Sequence, residues 1–205
     1  MLNIGEMLEA AEREAQALRQ AGDRQWPHDL PVDHIGFAVP PAGLETALHR
    51  WRLLGYLVAE RDLVTSQKAW ATMLRPGGDV QSPGPGLELV IPALELESAE
   101  AAAAFEAREV VPGMGAMTQY LVRNRPGLHH IAFTVPEGSI VDFRAQLIDA
   151  GVEVIGDDVR PGAFGATVFF TRPDRGSPDR PGPSVLIEYV DTIGVKAWRQ
   201  QHALT

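Results

Sequence analysis

The chain has 205 residues, 45% apolar and 22% charged, and its 18 Lys and Arg against 27 Asp and Glu give a net charge of −9. That length supports one to two domains, each able to bury a core without covalent staples. The absence of Cys excludes disulfides, thiolate nucleophiles, zinc fingers and iron–sulfur clusters, and the acidic balance argues against a surface that tracks nucleic-acid phosphates.

Residues 1–22 place Leu2, Met7, Leu8, Ala11, Ala15 and Leu18 at helical spacing and stop at Gly22, which predicts an amphipathic helix acting as a packing or dimerisation arm. Its early Glu residues and missing apolar h-region argue against a signal peptide, and no run is long enough to span a bilayer, so a cytoplasmic protein without membrane partners is expected. Residues 23–31 carry two prolines and read as a connector, which closes a first segment, 1–31.

An internal repeat dominates the rest. Val32-Asp33-His34-Ile35-Gly36-Phe37-Ala38-Val39-Pro40 lies over Leu128-His129-His130-Ile131-Ala132-Phe133-Thr134-Val135-Pro136 at an offset of 96, and Gly55 and Gly151 close a helical stretch in each copy. In the second copy Ser139, with Asp142 three residues on, predicts an N-cap, and Ile140, Phe143, Leu147 and Ile148 form the apolar stripe. Leu44, Leu48, Trp51 and Leu54 do the same less cleanly in the first copy. Strands are predicted over 32–39, 56–60, 68–74 and 86–91, and again over 128–135, 152–155, 166–171 and 184–190. Each half therefore reads β-α-β-β-β, as modules 32–94 and 128–191. Between them, 95–127 holds a helix over Leu96–Arg108 and then a Gly- and Met-rich loop. Residues 172–183 are too rich in Pro and Gly to be regular, and 192–205 reads as a tail.

Strand alternation sorts the side chains by face. Ile35, Phe37 and Val39 form an apolar face, with His34, Gly36 and Ala38 opposite; Ile131, Phe133 and Val135 repeat this against His130, Ala132 and Thr134. In the last strand of each half Glu88 and Glu188 likewise oppose apolar neighbours. Taken singly, such residues are more often structural or solvated than functional. Two His and two Glu at matching places in a duplicated unit point instead to one divalent metal centre formed by His34, Glu88, His130 and Glu188. A His2Glu2 set suits Co, Ni, Mn, Fe or Zn and is too rich in nitrogen for Ca.

From 32 to 191 the chain resembles the vicinal oxygen chelate (glyoxalase/bleomycin resistance) superfamily, and within it the methylmalonyl-CoA epimerases. The resemblance rests on Asp33-His34-Ile35-Gly36-Phe37-Ala38-Val39, Leu87-Glu88-Leu89-Val90-Ile91-Pro92, and Tyr120-Leu121-Val122-Arg123-Asn124 leading into Gly127-Leu128-His129-His130-Ile131-Ala132-Phe133. Arg160-Pro161-Gly162-Ala163-Phe164-Gly165, Phe169-Phe170-Thr171-Arg172-Pro173 and Val185-Leu186-Ile187-Glu188 complete it. It implies an α+β fold of two βαβββ modules in an open, curved, mixed eight-stranded sheet around the metal, with the same four residues as ligands. It also implies a homodimer and a metal-dependent epimerase or isomerase that abstracts a proton alpha to the carbonyl of a small carbonyl acid or acyl-CoA.

Aligning Gln67–Leu74 with the family strand that carries an acid/base Glu puts Ala71 at that place. An alanine cannot move a proton, which leaves Glu60, Glu88 and Glu188 as catalytic candidates, while His129 should point to the packing face. Arg123, Arg125, Arg172, Arg175 and Arg180 are the cations available to CoA phosphates. Competing readings are a glyoxalase-type lyase, a ring-cleaving dioxygenase, which would need only a 2-His-1-carboxylate set, and a non-catalytic small-molecule binder of the kind that has lost the ligands this chain keeps.

Overall fold

The computed structural model describes residues 30–171 and 186–202. The helix expected over 1–22 and the loop expected over 172–183 lie outside the described residues. The chain divides into two compact units, a first of His34–His129 and a second of Met1–Asp33 with His130–Thr205.

The first unit contains β1 (Val32–Ala38, entering from the second unit at His34), α1 (Leu44–Arg52), β2 (Tyr56–Val64), β3 (Ala69–Pro76) and β4 (Gly86–Pro92). Its strands lie in the order β2-β3-β4-β1, with β1 parallel to β4 and the other pairs antiparallel. The predicted β-α-β-β-β pattern is therefore present as a mixed sheet. One face of that sheet is bulky: Leu74, Leu87, Leu89 and Ile91 pack with Ile35 and Phe37 under Leu44, Leu48 and Trp51 of α1. Phe37 and Trp51 meet at 5.5 Å between ring centres. Leu54, expected in this stripe, lies beyond the end of α1 and is 68% exposed. The helix ends at Arg52, and Gly55 turns the chain at φ +85°, a left-handed conformation that a side chain would strain.

Two further helices follow, α2 (Ala99–Ala107) and α3 (Ala116–Arg123). The first was expected and is capped by Ser98, whose Oγ accepts from the Ala101 N–H at 3.1 Å. The second replaces the predicted loop. Its N-cap is Gly115, which has no side chain to cap with. Glu97 does that work from 18 residues upstream: its Oε1 accepts from the Gly115 N–H at 2.7 Å and from the Thr118 hydroxyl at 2.6 Å. Its other oxygen accepts from Lys68 Nζ at 3.0 Å. Burial pushes the Glu97 carboxyl up, but the hydrogen bonds from Thr118, Gly115 and Lys68 outweigh it and hold the group below its ordinary value.

A carboxyl depressed in the folded state contributes stability above its unfolded pKa, and that contribution is lost as pH falls through the lower, folded value. Glu97→Ala should therefore cost about 3 kcal/mol near neutrality, by leaving two buried donors, the Gly115 N–H and the Thr118 hydroxyl, without their acceptor. Urea melts at a series of pH values check this. The gap between wild type and variant should narrow below about pH 4.

The second unit contains β5 (Gly127–Thr134, entering at His130), α4 (Ile140–Asp149), β6 (Val154–Pro161), β7 (Thr167–Thr171) and β8 (Leu186–Asp191). The order β5-β8-β7-β6 repeats that of the first unit, again with one parallel pair, β5 and β8. Ile140, Phe143 and Leu147 of α4 bury against Val135, Phe169, Ile187 and Tyr189. Ile148, expected in that stripe, is 45% exposed. Ser139 stands at the N-cap but makes no side-chain cap, because its hydroxyl donates to the Pro136 carbonyl instead. Phe143 is fully enclosed, 5.1 Å from the Tyr189 ring. Phe143→Ala should cost about 3–5 kcal/mol, read from the midpoint of a urea melt.

Residues 192–205, expected as a tail, include a helix, α5 (Val195–His202). Its Trp198 packs edge-on against Phe164 at 5.3 Å, and a Cβ at Gly194 would fall on the Gly165 carbonyl. The helix thus seats on the turn that follows β6. No helix among the described residues is long and apolar enough to cross a membrane.

Candidate metal centre

In the first unit His34 on β1 and Glu88 on β4 are both buried, on the face away from α1. The parallel register sets Glu88 beside Gly36 and His34 beside Gly86. This offset of two residues brings His34 Nε2 to 3.5 Å from Glu88 Oε2. A Cβ at Gly86 would meet the Met73 sulfur, which would have to move aside. The second unit repeats the device: Glu188 sits beside Ala132, and His130 Nε2 lies 3.2 Å from Glu188 Oε2. Each unit therefore presents one buried imidazole–carboxylate pair, from the sequence positions that the repeat singled out.

As donors the two pairs comprise two imidazole nitrogens and two carboxylates, all buried. Two carboxylates carry the charge that balances a divalent cation, and neutral imidazole suits the transition metals. Burying these carboxylates without a cation is costly. The residues thus fit a divalent metal of the transition series.

The surroundings of the two pairs differ. In the first unit, Met117 and Leu121 of α3 pack on Ala38, Ala69 and Val90 and wall off one end of the pair's face. In the second, Phe170 stands beside Glu188 in register and meets the His130 ring edge-on at 6.0 Å. The Arg160 guanidinium lies over the Phe170 ring at 4.6 Å. Burial lowers the Arg160 pKa, and the charge of Glu188 partly offsets that.

Other sequence candidates fall as follows. Glu60 on β2 is half-buried and opposite Met73, which in turn is opposite Glu88. Ala71 is buried, and opposite it on β2 is Asp62, a carboxylate that the sequence reading passed over. A register shift between Val58 and Glu60 decides this. Val58 is opposite Leu74 of the helix-covered face, and the extra residue turns Glu60 and Asp62 to the other side. His129 packs against Tyr120 at 4.6 Å between rings. In the Tyr120–Asn124 motif, Asn124 Nδ2 donates to the Tyr120 carbonyl at 2.9 Å, an end-cap of α3. Arg123 and Arg125 are exposed, and Arg172, Arg175 and Arg180 lie outside the described residues.

Comparison with known proteins agrees with this layout. The profile of the glyoxalase/bleomycin resistance protein/dioxygenase superfamily matches residues 33–170. Similar solved structures include methylmalonyl-CoA epimerase from Mycobacterium tuberculosis, 19% identical with a TM-score of 0.55, over 78% of this chain and 87% of that one. Another is a variant of Streptomyces coelicolor methylmalonyl-CoA epimerase in complex with 2-nitronate-propionyl-CoA, 24% identical with a TM-score of 0.55, over 80% and 98%. A third is a hypothetical protein from Bacillus halodurans, 22% identical with a TM-score of 0.54, over 78% and 92%. These likenesses show the fold. No curated protein matches the sequence.

Proposed function

Because the chain belongs to the glyoxalase/bleomycin resistance protein/dioxygenase superfamily, we propose that it is a metal-dependent isomerase that removes and returns a proton alpha to the carbonyl of an acyl thioester. The observation that carries this reading is the duplicated, buried His–Glu pair. In it His34, Glu88, His130 and Glu188 together hold one divalent cation. That cation supplies Lewis-acid polarisation of a carbonyl oxygen. The likeness to methylmalonyl-CoA epimerases, one of them bound to an acyl-CoA analogue, supports the thioester as the substrate class.

The remaining work falls to this chain's own side chains. The four residues would hold the ion, and the ion would supply a site for the substrate carbonyl. Met117 and Leu121 exclude water from the end of the face that they cover. The proton passes to a carboxylate of β2. Asp62 suits this better than Glu60, because it stands opposite Ala71, the position at which the resemblance expects an acid/base carboxylate. Met73 stands between Glu60 and Glu88. Glu88 and Glu188, engaged as ligands, hold the cation and do not exchange the proton.

The test is incubation of metal-loaded protein with 2-methyl-substituted acyl-CoA thioesters in D2O, followed by proton NMR. Deuterium should appear at the alpha carbon at a rate proportional to enzyme. Absence of exchange with every thioester, in protein of full metal content, would overturn the reading.

A further inference from the structure

Arg160 is a half-buried cation that the proposed reaction has not used. It stands on β6 opposite Val168, on the face that carries Phe170 and Glu188. Between Ile155, opposite Phe170, and Arg160 the register slips, so that β6 contributes more residues than β7. Without that slip, simple alternation from Ile155 would point Arg160 to the helix-covered side. The guanidinium rests on the Phe170 ring, which itself touches His130, and it feels the charge of Glu188. Its Nε is buried and donates to no acceptor among the described residues. An arginine on an outer strand would ordinarily extend its head into water. This one keeps its head against an aromatic ring beside a candidate metal ligand, with an unspent donor.

We propose that Arg160 is the anchor for an anionic group next to the reacting carbon of the substrate, so that acyl groups bearing a carboxylate are taken in preference to neutral ones. The proposal rests on the metal-isomerase reading and deepens it. Two glutamates and two neutral imidazoles around a divalent ion sum to zero charge, so Glu188 is no longer a counter-charge for Arg160 once the ion is held. The guanidinium then leaves the centre at +1, matched to one monoanion. A planar fork of N–H donors fits a carboxylate in two-point contact. The phosphates of a CoA tail are many bonds from the reacting carbon and cannot be the group that an arginine beside Glu188 receives.

The test uses metal-loaded wild type, Arg160→Gln and Arg160→Lys, each checked for metal content and circular dichroism, with malonate as the probe in isothermal titration. Arg160→Gln should raise the malonate Kd about 10- to 100-fold, the weight of one charge-assisted hydrogen bond. Arg160→Lys, which keeps the charge and loses the fork, should fall between. An unchanged Kd in Arg160→Gln overturns the proposal. In D2O exchange, Arg160→Gln should lose activity on methylmalonyl-CoA through KM and keep it on a neutral 2-methyl-3-oxoacyl-CoA. An equal loss on both would show a merely structural residue and also overturn the proposal. If malonate binding depends on Arg160 while wild type exchanges no thioester, the anion subsite stands and the isomerase reading alone fails.

Discussion

His130→Ala should leave the protein folded and without its metal. Wild type purified without chelator should carry one divalent ion per chain by mass spectrometry, and the variant close to none. The reason lies in the spacing of the second unit, where the imidazole of His130 and the carboxylate of Glu188 are 3.2 Å apart, close enough to serve one ion as proposed. Removing the nitrogen takes away a ligand and leaves Glu188 buried without its neighbour. Alpha-proton exchange should fall to background. Stability offers an independent readout, because a ligand that binds only the folded chain adds about 3 kcal/mol at a hundredfold excess over Kd. Chelator should therefore lower the Tm of wild type and leave that of His130→Ala unmoved. Full metal occupancy in the variant would remove His130 from the ligand set.

Asp62→Asn should be the most damaging change outside the ligands. A positioned general acid or base contributes about 10²- to 10⁴-fold in rate. The variant should lose exchange by that amount while keeping its metal content and its substrate affinity. Glu60→Gln should stay within a few-fold of wild type, because Met73 lies between Glu60 and Glu88. Ala71→Glu adds a carboxylate beside Asp62 and should restore part of the exchange lost in Asp62→Asn. An Asp62→Asn enzyme that exchanges at the wild-type rate would show the proton leaving by another group.

What the sequence made legible was whatever depends on alternation within one strand. His34 and Glu88 fall on one face, and His130 and Glu188 on the equivalent one, because their strands run regularly through those residues. Illegible were the features set by register between strands and by partners distant in the chain. Counting by twos from Tyr56 sends Glu60 and Asp62 to the helix side; the extra residue after Val58 reverses them. Arg160 is turned by a similar slip in β6, and nothing local announces either slip. The helix at Ala116–Arg123 has no local start signal, because its N-cap is a glycine and the capping carboxylate belongs to Glu97. Spacing alone places Leu54 and Ile148 in their stripes, but Leu54 lies past the end of its helix and Ile148 in the last turn of its own, and both are exposed.

The irregular outer strands also bear on how this protein behaves in a crowded solution. β2 is the outermost strand of its unit, and Leu57 and Val58, near its start, are 40% and 48% exposed beside the exposed Leu53 and Leu54. Flat apolar edges of this kind recruit strands from neighbouring chains and seed aggregates. The bulge comes immediately after Val58, breaks the even row of backbone donors and acceptors, and is followed by the charged run Glu60-Arg61-Asp62. An incoming strand could match the first few residues of this edge and then lose its register. The kink that aims two carboxylates over the sheet thus also keeps the sheet from growing.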